Sequence, residues 1–261
     1  MRTRPVASHL LVSLVLTGAA VFTAFALPLP AQAADGINIH IGWGKGVDGS
    51  GRSVSVARRI GAFNSLRIDG PIDVVARAGA APAATVTAED NIEPAIETVL
   101  EGSTLVVRLQ KGSNFHTWRP MKVDLTFTEL NAADLRGSGD LKVDGLTAPR
   151  VTGSITGSGD LRLERAALGS VEVGVAGSGD VWVTGKADDA RFSVAGSGDI
   201  HAGDLQARRV VVSISGSGDA RVNASESLDA RVAGSGDIVY SGNPSNVSRK
   251  VAGSGSIEPG H

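Results

Sequence analysis

The sequence predicts an all-β chain wound as a parallel β-helix, a solenoid with coils of about 20 residues. A returning tetrapeptide is the first ground for this. Gly137-Ser138-Gly139-Asp140 recurs at 157–160, 177–180, 196–199, 216–219 and 234–237, with an altered copy at Gly253-Ser254-Gly255-Ser256, in steps of 20, 20, 19, 20, 18 and 19 residues. A fixed period of this length marks units that cannot bury an apolar face alone and must stack. The second ground is the flanking alternation. An aliphatic stands two residues before every Gly-Ser-Gly, from Leu135 to Val251, and apolar pairs follow one and three residues after each acid, as in Leu141/Val143 and Leu161/Leu163. A strand therefore enters each tetrapeptide, bends, and leaves. The third is composition: 34 glycines, 4% aromatics and 42% hydrophobics in 261 residues describe many tight turns around a narrow aliphatic core.

Taken in order, the chain opens with a targeting pattern. Arg2 and Arg4 precede an apolar run over residues 10–27, and Ala31-Gln32-Ala33 supplies the small-x-small site read by signal peptidase, so residues 1–33 are expected to be a signal peptide. A retained membrane anchor is the alternative, since the run approaches a spanning length. Loss of Arg2 and Arg4 leaves 23 basic against 27 acidic residues, a net charge of −4 and no membrane span in the mature chain. Residues 34–57 read as a Gly-rich leader, containing His40 and Trp43, and residues 58–130 as an N-terminal β region. In that region Leu66, Ile68, Ile72 and Val74 flank an Asp69-Gly70-Pro71 turn, 104–109 is a β-branched run, and Val123, Leu125 and Phe127 alternate inward. Only residues 89–99 have helical character, a single turn around Pro94. Residues 131–257 form the repeat coils of the same domain. A propeller is disfavoured, because its repeats run to about 40 residues or more. Six intervals at the parallel-strand spacing give a stack of roughly 29 Å.

Several function classes fall away. With no cysteine, disulfide and cysteine-metal frameworks are excluded. A chain of net charge −2 lacks the basic stripe that nucleic-acid binding requires. No paired His or Cys stands at zinc-ligand spacing, and the lone His201 makes no metal site.

Stacking places Asp140, Asp160, Asp180, Asp199, Asp219 and Asp237 in one acidic column at a corner of the coil. Glycine belongs there because a sharp bend and close backbone approach leave no room for a Cβ. Serine can hydrogen-bond its stacked neighbour. The acids repel by roughly 0.9 kcal/mol per neighbouring pair at about 4.8 Å even in bulk water. Three things could relieve them: capping of backbone N–H groups with the charge facing solvent, a bound cation such as calcium, or a ligand. Catalysis is a poor fit to this regularity, because a reaction needs a few unlike groups at one place.

Residues 61–66 (Gly-Ala-Phe-Asn-Ser-Leu), 69–74 (Asp-Gly-Pro-Ile-Asp-Val), Glu89-Asp90-Asn91-Ile92, Ile96-Glu97-Thr98, Gly102-Ser103-Thr104-Leu105 and the first Gly-Ser-Gly-Asp together resemble the family described as "putative auto-transporter adhesin, head GIN domain". The resemblance spans about residues 58–257. It implies an exported β-helical protein of the bacterial envelope, periplasmic or at the cell surface, with an adhesive role and no catalytic residues. No barrel-like set of strands follows the last repeat up to His261, so self-export is not expected.

Outside the repeats the most distinctive stretch is 111–121, with Phe115, His116, Trp118 and Arg119. Aromatic and arginine side chains on a loop compose a contact patch for a sugar or protein. The competing reading has Phe115 and Trp118 plugging an open end or side of the stack. Trp182 and Tyr240 fall beside the corner, as surface or rung residues. The expectation is a non-enzymatic module that binds an envelope component, polysaccharide or protein, with no cofactor unless calcium occupies the column. A polysaccharide lyase or hydrolase and a calcium-stabilised structural module are the alternatives.

Overall fold

The structure, a computed structural model, describes residues 46–260. The expected signal peptide and the leader up to residue 45, with His40 and Trp43, lie outside the described residues. Among those described, no helix is long and apolar enough to cross a membrane.

The repeats wind as a parallel solenoid. In the coil formed by Leu161–Gly177, residues 161–163, 166–168 and 170–177 pair in parallel with matching segments of neighbouring coils. One long strand thus wraps most of a turn, and the Gly-Ser-Gly-Asp segment joins it to Val181–Gly196. Each segment alternates, so its inward side chains stack in columns. Leu161, Val181, Ile200, Ala220 and Ile238 form one such column, and Ile155, Val175, Val194, Ile214 and Val232 another; all are buried. Alternation slips twice per coil, between the buried Leu163 and Ala166 and again where Leu168 and Val171 both point inward around Gly169 and Ser170, and these double steps turn the chain between segments.

The region before the repeats is continuous with the solenoid. Ser65–Asp69 and Asp73–Ala78 pair in parallel with Ala132–Gly137 and Leu141–Asp144, so Gly70 to Asp73 stands one coil below the first Gly-Ser-Gly-Asp. Thr104–Leu109 and Lys122–Phe127 extend the two columns by one more parallel rung. Beyond them the order changes to antiparallel: Ile96–Glu101 pairs with Thr104–Leu109, Ala83–Glu89 with Lys122–Phe127, and Ser53–Arg58 with Ala83–Glu89. The solenoid is therefore finished at this end by antiparallel strands rather than by an aromatic plug. The helical character expected over 89–99 reduces to one 3-10 turn, Glu93–Ala95, with Pro94 in its first positions, and Ile96 starts a strand. Ser53–Arg58, which runs from the expected leader across its boundary at residue 57, is a strand because Val54 and Val56 alternate with exposed Ser53, Ser55 and Ala57.

Packing between coils is tightest at the corner. The first glycine of each copy from Gly157 to Gly253 has φ between +132° and +144°, a region closed to most L-residues. A Cβ there would overlap the carbonyl of the first glycine one coil below; a Cβ on the second glycine would overlap the carbonyl of its own counterpart. Both positions thus exclude side chains, one by conformation and space together, the other by space alone. Gly177→Ala is expected to cost about 2 kcal/mol or more. Gly203→Ala, whose Cβ would come no closer than 4.0 Å to Arg221, should stay within about 0.5 kcal/mol of wild type. Urea unfolding midpoints compare the two.

A second corner carries charge of both signs. Arg209 holds Asp189 at 2.6 Å and Glu226 at 3.6 Å, while Arg208 reaches Glu226 at 2.6 Å and Asp188 at 3.7 Å, fastening three successive coils. The hydrogen bond from Arg209, with the nearby charges of Arg209 and Arg208, holds the Asp189 carboxyl below its ordinary range. Since the folded form is the stronger acid, this contribution is complete above the unfolded carboxylate value and is lost as pH falls through the folded one. Wild type should therefore lose thermal midpoint as pH drops from about 5 towards 3, and Asp189→Asn should show a shallower decline. The side chains are about half exposed, so the difference at neutral pH should be about 1 kcal/mol or less.

Candidate functional site

At the Gly-Ser-Gly-Asp corner the six acids stand in one column, extended downward by Asp73. One carboxylate oxygen of each accepts a backbone N–H from the coil above. Asp73 takes that of Asp140, Asp140 that of Asp160, and the pattern continues through Asp180, Asp199, Asp219 and Asp237 to the amide of Ser256, at 2.7–3.1 Å. The N–H that each acid caps is thus that of the next acid. Charge-assisted bonds of this kind set favourable dipoles against the repulsion along the column. Arg162 adds a cation, at 3.0 Å from Asp160 and 3.8 Å from Asp140. Asp140 to Asp199 are half-buried; Asp219 and Asp237 are exposed. Among the described residues no group of three or more His, Cys, Asp or Glu side chains converges as a metal site. The serines connect coils through the backbone: the N–H of Ser178 donates to the Gly157 carbonyl at 2.9 Å, with the same bond at Ser158, Ser197, Ser217, Ser235 and Ser254. Their side chains are exposed.

Beside this column runs a second one that faces outward. Lys142, Arg162, Trp182, His201 and Arg221 each stand two residues after a corner acid and are in register. Trp182 and His201 stack with centroids 4.8 Å apart and planes at 16°, and the Arg162 guanidinium lies 4.0 Å from the Trp182 centroid. Lys142 pairs with Glu164 at 2.7 Å. The tryptophan's faces are thereby covered from the coils below and above. Tyr240, at the inward position of its coil, packs against the core.

The four residues of the aromatic loop are adjacent but differently placed. Phe115–His116 pairs in parallel with Val47–Asp48, closed by the Val47 N–H to the Asn114 carbonyl and the Gly49 N–H to the His116 carbonyl, each 2.8 Å. Phe115 is partly buried against the core. Trp118 is 67% exposed, the most exposed large hydrophobic side chain among the described residues, so it plugs nothing. The His116 ring meets Trp118 edge-on, with centroids 5.0 Å apart and planes at 89°. Arg119 is exposed, and its N–H donates to the Thr117 hydroxyl at 3.1 Å. His116 and Trp118 therefore form an exposed aromatic pair, followed in the chain by exposed Arg119 and preceded by the partly buried Phe115.

Under this loop lies a residue that sequence reasoning did not single out for a role. Glu89 is 1% exposed, and its carboxylate accepts the N–H of Gly51 at 2.7 Å and of Trp118 at 3.2 Å. Its neighbours bind the same N-terminal segment. Asn91 accepts the Ser50 N–H at 3.0 Å and donates to the Asp48 carbonyl at 2.9 Å, and Asp90 accepts from Arg52 Nε at 2.7 Å. Hydrogen bonds from Ser50 and then Arg52 hold the Asp90 carboxyl below its ordinary range. Two successive acids and an amide at the end of a strand were the only sequence signal for this cluster.

Known proteins bear on this arrangement. The fold is similar to "a putative adhesin" from Bacteroides fragilis NCTC 9343, at 27% identity and a TM-score of 0.76, covering 82% of this chain and all of that one. A "putative lipid binding protein" from Parabacteroides distasonis ATCC 8503 is similar at 29% identity and a TM-score of 0.69, over 83% of this chain and all of that one. "A putative adhesin" from Parabacteroides merdae ATCC 43184 shares the fold at 22% identity and a TM-score of 0.68, over 82% of this chain and 99% of that one. Among curated protein sequences none matches. The model of one family matches residues 62–244, from the first buried strand to the last full coil, and on that match the chain belongs to the family described as "putative auto-transporter adhesin, head GIN domain".

Proposed function

We propose that this protein is a non-enzymatic, exported binding module of the bacterial envelope, periplasmic or at the cell surface, that contacts a polysaccharide or protein through the His116–Trp118–Arg119 surface. The observation that carries this reading is the exposure of Trp118 beside an edge-on histidine and an arginine, on a loop rooted in a rigid stack. Large aromatic and arginine side chains supply most of the energy of contact surfaces, and a solvated tryptophan gains by being covered. The targeting pattern of residues 1–33 and membership of an adhesin family support export. The repeated acids support a non-catalytic reading, because each is engaged with a backbone amide in the same way in every coil.

Glycan-array binding by the wild type and by Trp118→Ala tests ligand class and surface together. Loss of about tenfold or more in affinity, with an unchanged unfolding midpoint, is the expected outcome. Binding that survives the substitution would move the contact elsewhere. Since one similar structure is described as lipid-binding, lipid vesicles form a second arm of the same assay.

In the same reading the acidic column is held by amides and solvent rather than by calcium. A chelator should therefore leave the thermal midpoint unchanged, and added calcium should not raise it. A cation bound only by the folded form would raise the midpoint with concentration, adding about 2.7 kcal/mol of stability at a hundredfold excess over its dissociation constant.

A further inference from the structure

The segment Val47 to Arg52 crosses between two parts of the molecule that are distant in sequence. On one side it pairs with Phe115–His116. On the other it is read residue by residue by Glu89, Asp90 and Asn91, which bind Gly51, Ser50, Arg52 and the Asp48 carbonyl. The Arg52 carbonyl also accepts the Asp90 N–H at 2.9 Å. Its glycines fit this contact: a Cβ on Gly49 would overlap the Glu89 carboxylate, and Gly51 has φ +74°. Although Gly49-Ser50-Gly51 repeats the tripeptide of the solenoid corners, its partners here are the His116 carbonyl and the side chains of Glu89, Asp90 and Asn91 rather than a stacked corner.

Glu89 is where the two sides meet. Its buried carboxylate has two oxygens and two backbone partners, Gly51 in the segment and Trp118 in the loop. A buried carboxylate is costly unless its acceptor sites are filled. Releasing the segment would remove one donor and expose the carboxylate, loosening its hold on the other.

We propose that residues 47–52 are a strap captured by the Glu89-Asp90-Asn91 tripeptide, and that Glu89, as a positioning residue, couples capture of the strap to the ordering of the Trp118 loop. The site is an intramolecular peptide receptor whose ligand chemistry is a glycine-rich backbone bearing one hydroxyl and one cation. The functional consequence rests on the reading of His116, Trp118 and Arg119 as a contact surface; the coupling does not.

Hydrogen exchange of the protein as exported, followed by mass spectrometry, measures the coupling directly. Glu89→Gln replaces one acceptor oxygen by a donor. Gly49→Val keeps the Glu89 residue but sets a side chain against its carboxylate, and so obstructs the strap. In both variants peptides covering 47–52 and 112–121 should exchange about tenfold faster together, while the coil of residues 161–177 keeps its wild-type protection. A strap that loosens while 112–121 remains protected overturns the coupling, and so does wild-type protection of both. If Glu89→Gln fails to fold, Gly49→Val decides the matter alone. Retention of glycan and vesicle binding in Trp118→Ala would overturn the contact-surface reading and leave the exchange result standing.

Discussion

The close approach of backbone to backbone at the Gly-Ser-Gly corner is the constraint on which the remainder of the molecule depends. Each glycine carbonyl lies where a side chain of the next coil would otherwise begin, and the Ser amide of that coil donates to the first of the two. That contact fixes the register of the stack. Once the corners are superposed, every aliphatic two residues before and one residue after falls into a common column. A slip of one residue would turn those side chains to solvent, so the corner and the hydrophobic columns enforce the same alignment. The varying coil length, 18 to 20 residues, is absorbed elsewhere. Register shifts lie between Leu163 and Ala166, between Trp182 and Gly185, and between Ala202 and Arg209, away from the corner.

Superposition of identical residues would concentrate like charge, and the chain handles this in three ways. At the Gly-Ser-Gly corner the acids cannot alternate with bases, because the carboxylate has a fixed task in capping the amide of the next acid. At the corner around Asp189 the residues are free to vary, and there acids and arginines alternate coil by coil through Asp188, Asp189, Arg208, Arg209 and Glu226. The outward column through Lys142, Arg162, Trp182, His201 and Arg221 uses a third arrangement, with the stacked Trp182–His201 pair set between Arg162 and Arg221.

The solenoid was legible in the sequence because its determinants are local and repeated. Period, glycine positions and flanking aliphatics all lie within one coil. The alignment of Trp182 with His201 was legible in principle as well, since both stand two residues after a corner acid, but a single aromatic in each coil gives no periodic signal. The candidate surface was visible as composition and not as geometry. Nothing near Trp118 distinguishes a plug from a protrusion; its exposure follows from antiparallel strands that finish the stack without it. The strap was hidden for a related reason. Its contacts with Glu89, Asp90 and Asn91 span 38 to 43 residues and use ordinary polar side chains on a glycine-rich stretch that reads as a loose leader.

The rules that build the stack are relaxed in its last rung. Val173, Phe192, Val212 and Ala230 share one inward column, and the next member is Arg249, whose guanidinium reaches the Ile257 carbonyl at 3.5 Å. Val247 and Val251 on either side are 40% and 43% exposed, where their counterparts Leu228 and Val232 are buried. Ser256 replaces the corner acid: it uses the Asp237 carboxylate but offers none of its own to a coil above. Pro259, paired with Tyr240, has no N–H to give. An inward charge and a proline are devices by which sheet edges resist pairing with further strands. Antiparallel strands thus finish one end of the described stack, and Arg249, Ser256 and Pro259 mark its last described rung.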